Sequence, residues 1–208
     1  MRTYLSVFLI FSFFTIKAQE TIVPLEEELT YEGESGTPIY FKDVNNILDK
    51  YTGNWVFDDG TYYLKISITK KMHKAKGWSP HYNDPNFEDY LSVVIIYKVN
   101  GVEIYNTSTT PPVDSLIYGN IINSSNEIEL FYNEPTDSCQ RQKNADLLLE
   151  FIPDGMIGSN GSLPSGTLKW TRKNRLSYIS PHKECPDGSL VDSSEFKIPA
   201  DLILEREQ

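Results

Sequence analysis

Two dipeptides, Asp59-Gly60 and Asn100-Gly101, each lie between runs of alternating apolar and polar residues, and a chain built this way is committed to antiparallel hairpins. A two-residue type I′ loop needs positive φ at both central positions, which Asn, Asp and Gly tolerate best. Around the first dipeptide, Lys50 to Ile68 reads as a turn, a strand opened by Gly53-x-Trp55, a tight turn and a second strand. A two-residue loop there places Phe57 opposite Tyr62, Trp55 opposite Leu64 and Val56 opposite Tyr63. One face then carries Trp55, Phe57, Tyr62, Leu64, Ile66 and Ile68, and the other Lys65, Ser67 and Thr69. Around the second dipeptide, Tyr90 to Val99 pairs with Val102 to Thr107, setting Val99 against Val102, Lys98 against Glu103 and Tyr97 against Ile104. Leu91, Val93, Ile95, Tyr97, Val99, Val102 and Ile104 then share a face. Val93 to Ile96 is apolar on both faces, as in a strand covered on its second side by the N-terminal arm or a long loop.

The pattern continues. Leu116 to Asn123 and Glu127 to Asn133 form a third hairpin across Ser124-Ser125-Asn126. Ala145 to Ile152 is a seventh strand with Leu147, Leu149 and Phe151 inward. After a Gly/Ser-rich loop, Thr167 to Lys173 is an eighth, with Leu168, Trp170 and Arg172 on one face. Eight short strands in up-and-down order predict an all-β fold, an eight-stranded antiparallel barrel, with a two-sheet sandwich as the alternative. Before the first strand, Asp43 to Lys50 reads as two helical turns, with Asp43 as N-cap and Val44, Ile47 and Leu48 on one face.

Met1 to Ala18 combines Arg2, an apolar run from Tyr4 to Phe14 and a small residue at its end, the form of a secretory signal peptide cut after Ala18. The run is shorter than the roughly 20 apolar residues that span a bilayer. Export to a secreted or periplasmic location is expected, leaving an acidic arm over 19–42 and one barrel domain with a C-terminal extension over 43–208. With Arg2 and Lys17 gone, 17 basic residues stand against 29 acidic ones, a net charge of about −12 that repels phosphate backbones and anionic lipid. Neither nucleic acid nor membrane insertion is therefore expected. The two cysteines, Cys139 and Cys185, read as one disulfide in an oxidising compartment; a metal pair or a nucleophile lacks the spacing or a neighbouring histidine.

A short helical turn before Gly53-x-Trp55 on the first of eight strands, with Arg172 late on the eighth, resembles the calycins and the lipocalins in particular. The layout is also similar to that of small exported bacterial proteins. The lipocalin resemblance implies that Trp55 packs across the closed end of a barrel beneath a basic residue from the last strand, here Arg172. It also implies a cup for a small apolar ligand. The second lipocalin motif is matched only by Thr136-Asp137-Ser138.

Candidate chemistry is sparse. His73, His81 and His182 lack metal-site spacing, so neither a metal nor another cofactor is expected. Asp58-Asp59-Gly60 and Asp154-Gly155 are turn chemistry without the further oxygens of a calcium loop. Glu127 and Glu129 lie on an outward face, and no Gly-x-Ser-x-Gly turn occurs. A non-enzymatic protein is expected. Inward Tyr62, Tyr97 and Tyr132 suit either a partly solvated cavity or a barrel filled by aromatics. Trp78, Tyr82, Phe87 and Tyr90 mark a lid, a partner-binding edge or a cover. Two functions follow: a carrier holding an apolar or amphipathic ligand against Trp55, Tyr62, Leu64, Tyr97, Leu130 and Tyr132, or a filled barrel or sandwich that contacts a protein or envelope component.

Overall fold

The computed structural model of the chain describes residues 20–32, 37–75, 86–109, 116–134, 144–154, 166–174 and 196–207. The leader, both cysteines and their expected disulfide, Trp78, His81, Tyr82, Thr136-Asp137-Ser138 and His182 lie outside the described residues.

Eleven strands are described: β1 (Thr21–Pro24), β2 (Ile39–Lys42), β3 (Gly53–Asp58), β4 (Tyr62–Ala75), β5 (Phe87–Val99), β6 (Val102–Asn106), β7 (Ile117–Ser124), β8 (Glu127–Asn133), β9 (Asn144–Pro153), β10 (Gly166–Asn174) and β11 (Asp201–Arg206). Eight of them form an antiparallel ring in the order β5-β4-β3-β11-β10-β9-β8-β7, and β7 closes it against β5 through Leu91↔Gly119 and Ser92↔Tyr118. The fold is thus the up-and-down eight-stranded barrel and not the sandwich.

Its membership differs from the sequence reading at two places. Residues 102–107 were expected as the fourth barrel strand, but β6 pairs only with β5 and stands off the ring. The Thr107 hydroxyl accepts the Ile95 N–H at 2.9 Å, taking the place of a ladder carbonyl where the chain leaves the sheet. Further along the same edge of β5, β7 takes over the pairing. The eighth place is filled instead by β11, from what reads in sequence as an extension. It lies between β10, paired through five positions, and β3, paired through Val56 and Trp55.

The hairpin turns explain the register. Asn100 (φ 48°) and Gly101 (φ 78°) both adopt positive φ, and Val99↔Val102 and Lys98↔Glu103 pair as expected. A bulge between Tyr97 and Lys98 then sets Tyr105, not Ile104, opposite Tyr97. Tyr105 is consequently buried, whereas Val102 and Ile104 face solvent. At Asp58-Asp59-Gly60 the loop is longer than two residues, because carboxylates cap its backbone. Asp59 Oδ1 accepts the N–H groups of Thr61 and Tyr62, and Asp58 Oδ1 accepts that of Gly60. Trp55 therefore faces Ile66 and Phe57 faces Leu64, a slip of two residues that preserves every face but leaves Tyr62 at the strand end, 38% exposed.

The expected helix over 43–50 is a loop followed by a single 3₁₀ turn, Asp49–Tyr51. Asn46 at φ 54° interrupts the helical path. Asp43 still caps: its buried carboxylate accepts the N–H groups of Ile47 (2.7 Å) and Leu48 (3.0 Å) and pairs with Lys70 (2.8 Å). Ahead of it, β1 and β2 pair in parallel and join the start of β5. Val23, Leu25 and Phe41 thereby extend the core formed by the barrel's inward residues. Asp89, also buried, ties this corner together by accepting from Tyr40 Oη (2.5 Å) and from the N–H groups of Asp43 and His73 (each 3.0 Å).

Candidate functional site at the ends of the barrel

The register sorts inward residues to two ends. Gly53, Trp55, Ile68, Phe151, Leu168 and Arg206 gather at one, here the base, and Tyr97, Tyr132 and Arg172 at the other, here the mouth.

At the base, Trp55 is fully buried, donates Nε1–H to Tyr51 O at 2.8 Å and meets the Phe151 ring edge-on. The cation over its indole is Arg206, with Cζ 4.1 Å from the ring centroid. The expectation that Arg172 fills this role is corrected. Arg172 is at the mouth because β10 is not the last barrel strand, and Arg206 continues the inward series Leu202, Leu204 on the strand that is. Arg206 also donates to Thr52 O (2.7 Å) and Lys50 O (2.8 Å), closing the end of the 3₁₀ turn. Gly53 is required beside it: its φ is 110°, and a Cβ there would lie 2.8 Å from Arg206 Nη1. Burial holds the guanidinium pKa below its ordinary value. Arg206→Ala is expected to cost about 1–3 kcal/mol and to shift Trp fluorescence, read by urea denaturation followed through indole emission. Arg172→Ala should leave the Trp55 signal of the native state unmoved.

The mouth is polar at its rim and sealed. Glu134, with its side chain wholly buried, accepts from Tyr132 Oη (3.0 Å), Tyr105 Oη (3.2 Å) and the backbone N–H groups of Lys197 (2.8 Å) and Ile198 (3.4 Å). Arg172 Nη1 stands 4.0 Å from its carboxylate and donates to Ile198 O. The Arg172 guanidinium covers the Phe196 ring at 4.0 Å, and Tyr97 Oη donates to Lys197 O at 2.9 Å. Phe196-Lys197-Ile198 thus lies across the opening with Ile198 fully buried.

These environments change tyrosine acidity. Burial, with Tyr62, Glu134 and Asp59 nearby, pushes Tyr97 up to about 12. Tyr132 is raised by burial and then by the Glu134 charge, and Tyr40 and Tyr51 are raised chiefly by burial. A folded-state pKa above the unfolded value of about 10 means stability that is complete below pH ~10 and lost as pH rises through the folded value. The protein should therefore lose stability between about pH 10 and 12. Phenolate absorbance should show the buried set ionising only together with unfolding.

Of the six residues proposed to line a ligand cup, Trp55, Leu64, Tyr97, Leu130 and Tyr132 point inward and are 0–1% exposed, while Tyr62 lies outside with its ring stacked on Tyr97. Sequence reasoning missed Glu134, Arg206 and the strap 196–198. Period-two counting held the first two, since Ile128, Leu130 and Tyr132 lead to Glu134 as Leu202 and Leu204 lead to Arg206. Of the histidines, His73 is described: its ring stacks on Phe87 at 4.2 Å and meets Tyr40 edge-on, with Nε2 3.0 Å from the Glu20 carboxylate. Among the described residues, no group of three or more His, Cys, Asp or Glu side chains is placed to hold a metal ion.

Fold and site together define an up-and-down β-barrel with an aromatic interior, capped by a stacked arginine at one end and a buried glutamate–arginine pair at the other. The chain belongs to a family of unknown function (DUF6705), whose profile matches residues 1–207. Neither a curated protein nor a solved structure matches it.

Proposed function

We propose that the protein is an exported, non-enzymatic, lipocalin-like barrel that acts through contacts with another macromolecule and not as a carrier. One observation carries this reading: five of the six residues expected to line a cup have 0–1% of their surface accessible, whereas a carrier needs about 300 Å³ of cavity. Tyr132 packs edge-on against Trp170 at 5.7 Å, and Phe151 fills the base against Trp55 and Tyr51. Export rests on the leader sequence and the lipocalin likeness on the Gly53, Trp55 and Arg206 arrangement. Among the described residues no helix is long and apolar enough to cross a membrane.

One feature supports the carrier instead. The Trp170 indole N–H is buried in the barrel with no acceptor among the described residues, and a polar atom of a bound molecule would satisfy it. Native mass spectrometry of protein recovered from its own compartment decides between the two. The bare mass of the processed chain, alone or with a protein partner, is the expected result. A mass excess lost on denaturation would overturn the proposal in favour of a carrier.

A further inference from the structure

We infer that residues 196–207 form a transferable closing element, and that the barrel accepts the same segment from a second copy of the chain. The inference stands apart from the functional reading above, since it concerns how the ring is shut and not what fills it.

The segment is held by its backbone at most positions, first through bends at Lys197, Ile198 and Ala200 and then as the strand β11. Glu134 takes the N–H groups of Lys197 and Ile198, while Tyr97 and Arg172 donate to the carbonyls of those two residues. The Arg172 N–H donates to Ala200 O at 2.7 Å, β11 then pairs with β10 and β3, and the Glu207 N–H donates to Asn54 O at 3.0 Å. Two side chains select the sequence. Phe196 packs against both the Arg172 guanidinium and the Tyr132 ring, and Ile198 is buried under the mouth, whereas Lys197 turns out over Tyr105. Together these amount to a peptide-binding site with an aromatic position, a free position and an aliphatic position, continued by a strand slot. The chain occupies it in cis.

A second copy is the partner that fits, for two reasons. The 21 residues 175–195 join β10 to the segment, and the part beyond Cys185, 186–195, which the expected disulfide leaves free, has a contour length of ~33 Å, comparable to the ~30 Å diameter of a small domain. A reciprocal exchange also reproduces every contact named above, so no new interface has to be built. Cis closure enjoys an effective concentration of about millimolar, so exchange is set by the protein concentration at which chains fold.

The test is to unfold the full-length protein and refold it from low micromolar to about 1 mM, then separate the products by size-exclusion chromatography with light scattering. A dimer fraction that rises with refolding concentration is expected. Co-refolding of isotope-labelled and unlabelled chains should yield mixed dimers, and mixing the two after folding should yield at least tenfold fewer. In the same experiment Ile198→Asp, which damages the donor, and Glu134→Gln, which damages the acceptor, should on co-refolding form mixed dimers at least tenfold in excess of either homodimer, because only that pairing restores one intact closure. Where a variant does not refold, the comparison rests on the wild type: concentrated folded monomer is held just below its Tm, and intermediate-mass dimers should then appear. Monomer at every concentration would overturn the inference. So would dimers that form equally well by mixing folded chains or that show no preference for the complementary pair of variants, since those are ordinary surface contacts.

Discussion

Glu134→Ala is expected to destabilise the fold by about 3–5 kcal/mol, measured as a lower urea midpoint at unchanged slope. The carboxylate has no exposed side-chain surface and receives two tyrosine hydroxyls and two backbone N–H groups beside Arg172. Its removal takes this carboxylate away from a guanidinium that is itself 5% exposed, and takes an acceptor away from several buried donors. Much of the expected loss is the penalty of buried groups that have lost this carboxylate and not the worth of the 4.0 Å pair. The double variant Glu134→Leu with Arg172→Met, which removes both charges, should therefore recover much of it. A single variant as stable as the wild type would mean that the strap does not depend on Glu134.

Trp55→Ala should cost a comparable amount, about 3–5 kcal/mol, because the largest inward side chain of the base would leave a cavity between Phe151, the 3₁₀ turn and Arg206. Trp55→Phe keeps much of the volume and loses the bond to Tyr51 O and part of the stacking surface, so its loss should be smaller by half or more. Thermal melts of the two variants against wild type provide the check. Equal losses would mean that the hydrogen bond, and not the filled volume, holds this end together.

The barrel was legible because its signals are local. Turn dipeptides and period-two alternation identify strands and inward faces wherever neighbours in sequence are neighbours in space, and Leu64, Ile66, Leu91, Val93 and Tyr97 all fall on the expected side. Ring membership was not legible. Whether β6 or β11 completes the circle depends on a bulge at Tyr97 and on a partner strand that precedes β11 by almost the whole described chain, and neither leaves a local mark. The same distance hid the site. Glu134 and Arg206 stood in the alternation but beyond the last apolar residue of their strands, where a charged residue reads as the start of a loop. The strap at 196–198 has too few residues to show a period. Tyr62 failed for a smaller reason: two aspartates capping their own loop outweighed the two-residue turn that Asp-Gly favours.

The pairing of β11 with β3 also sets an order of events. Every other wall of the ring joins strands that are neighbours or near neighbours along the chain, β5 and β7 with only β6 between them, but this seam joins the first barrel strand to the last one synthesised. Contacts that distant pay their loop-closure entropy late, and both the mouth strap and the Arg206 cap arrive with them. A nascent chain can form hairpins β3-β4-β5 and β7-β8-β9 without being able to shut. It therefore stays open until β11 has emerged, and the export proposed above would then act on an open chain of hairpins, easier to thread through a narrow channel than a finished barrel.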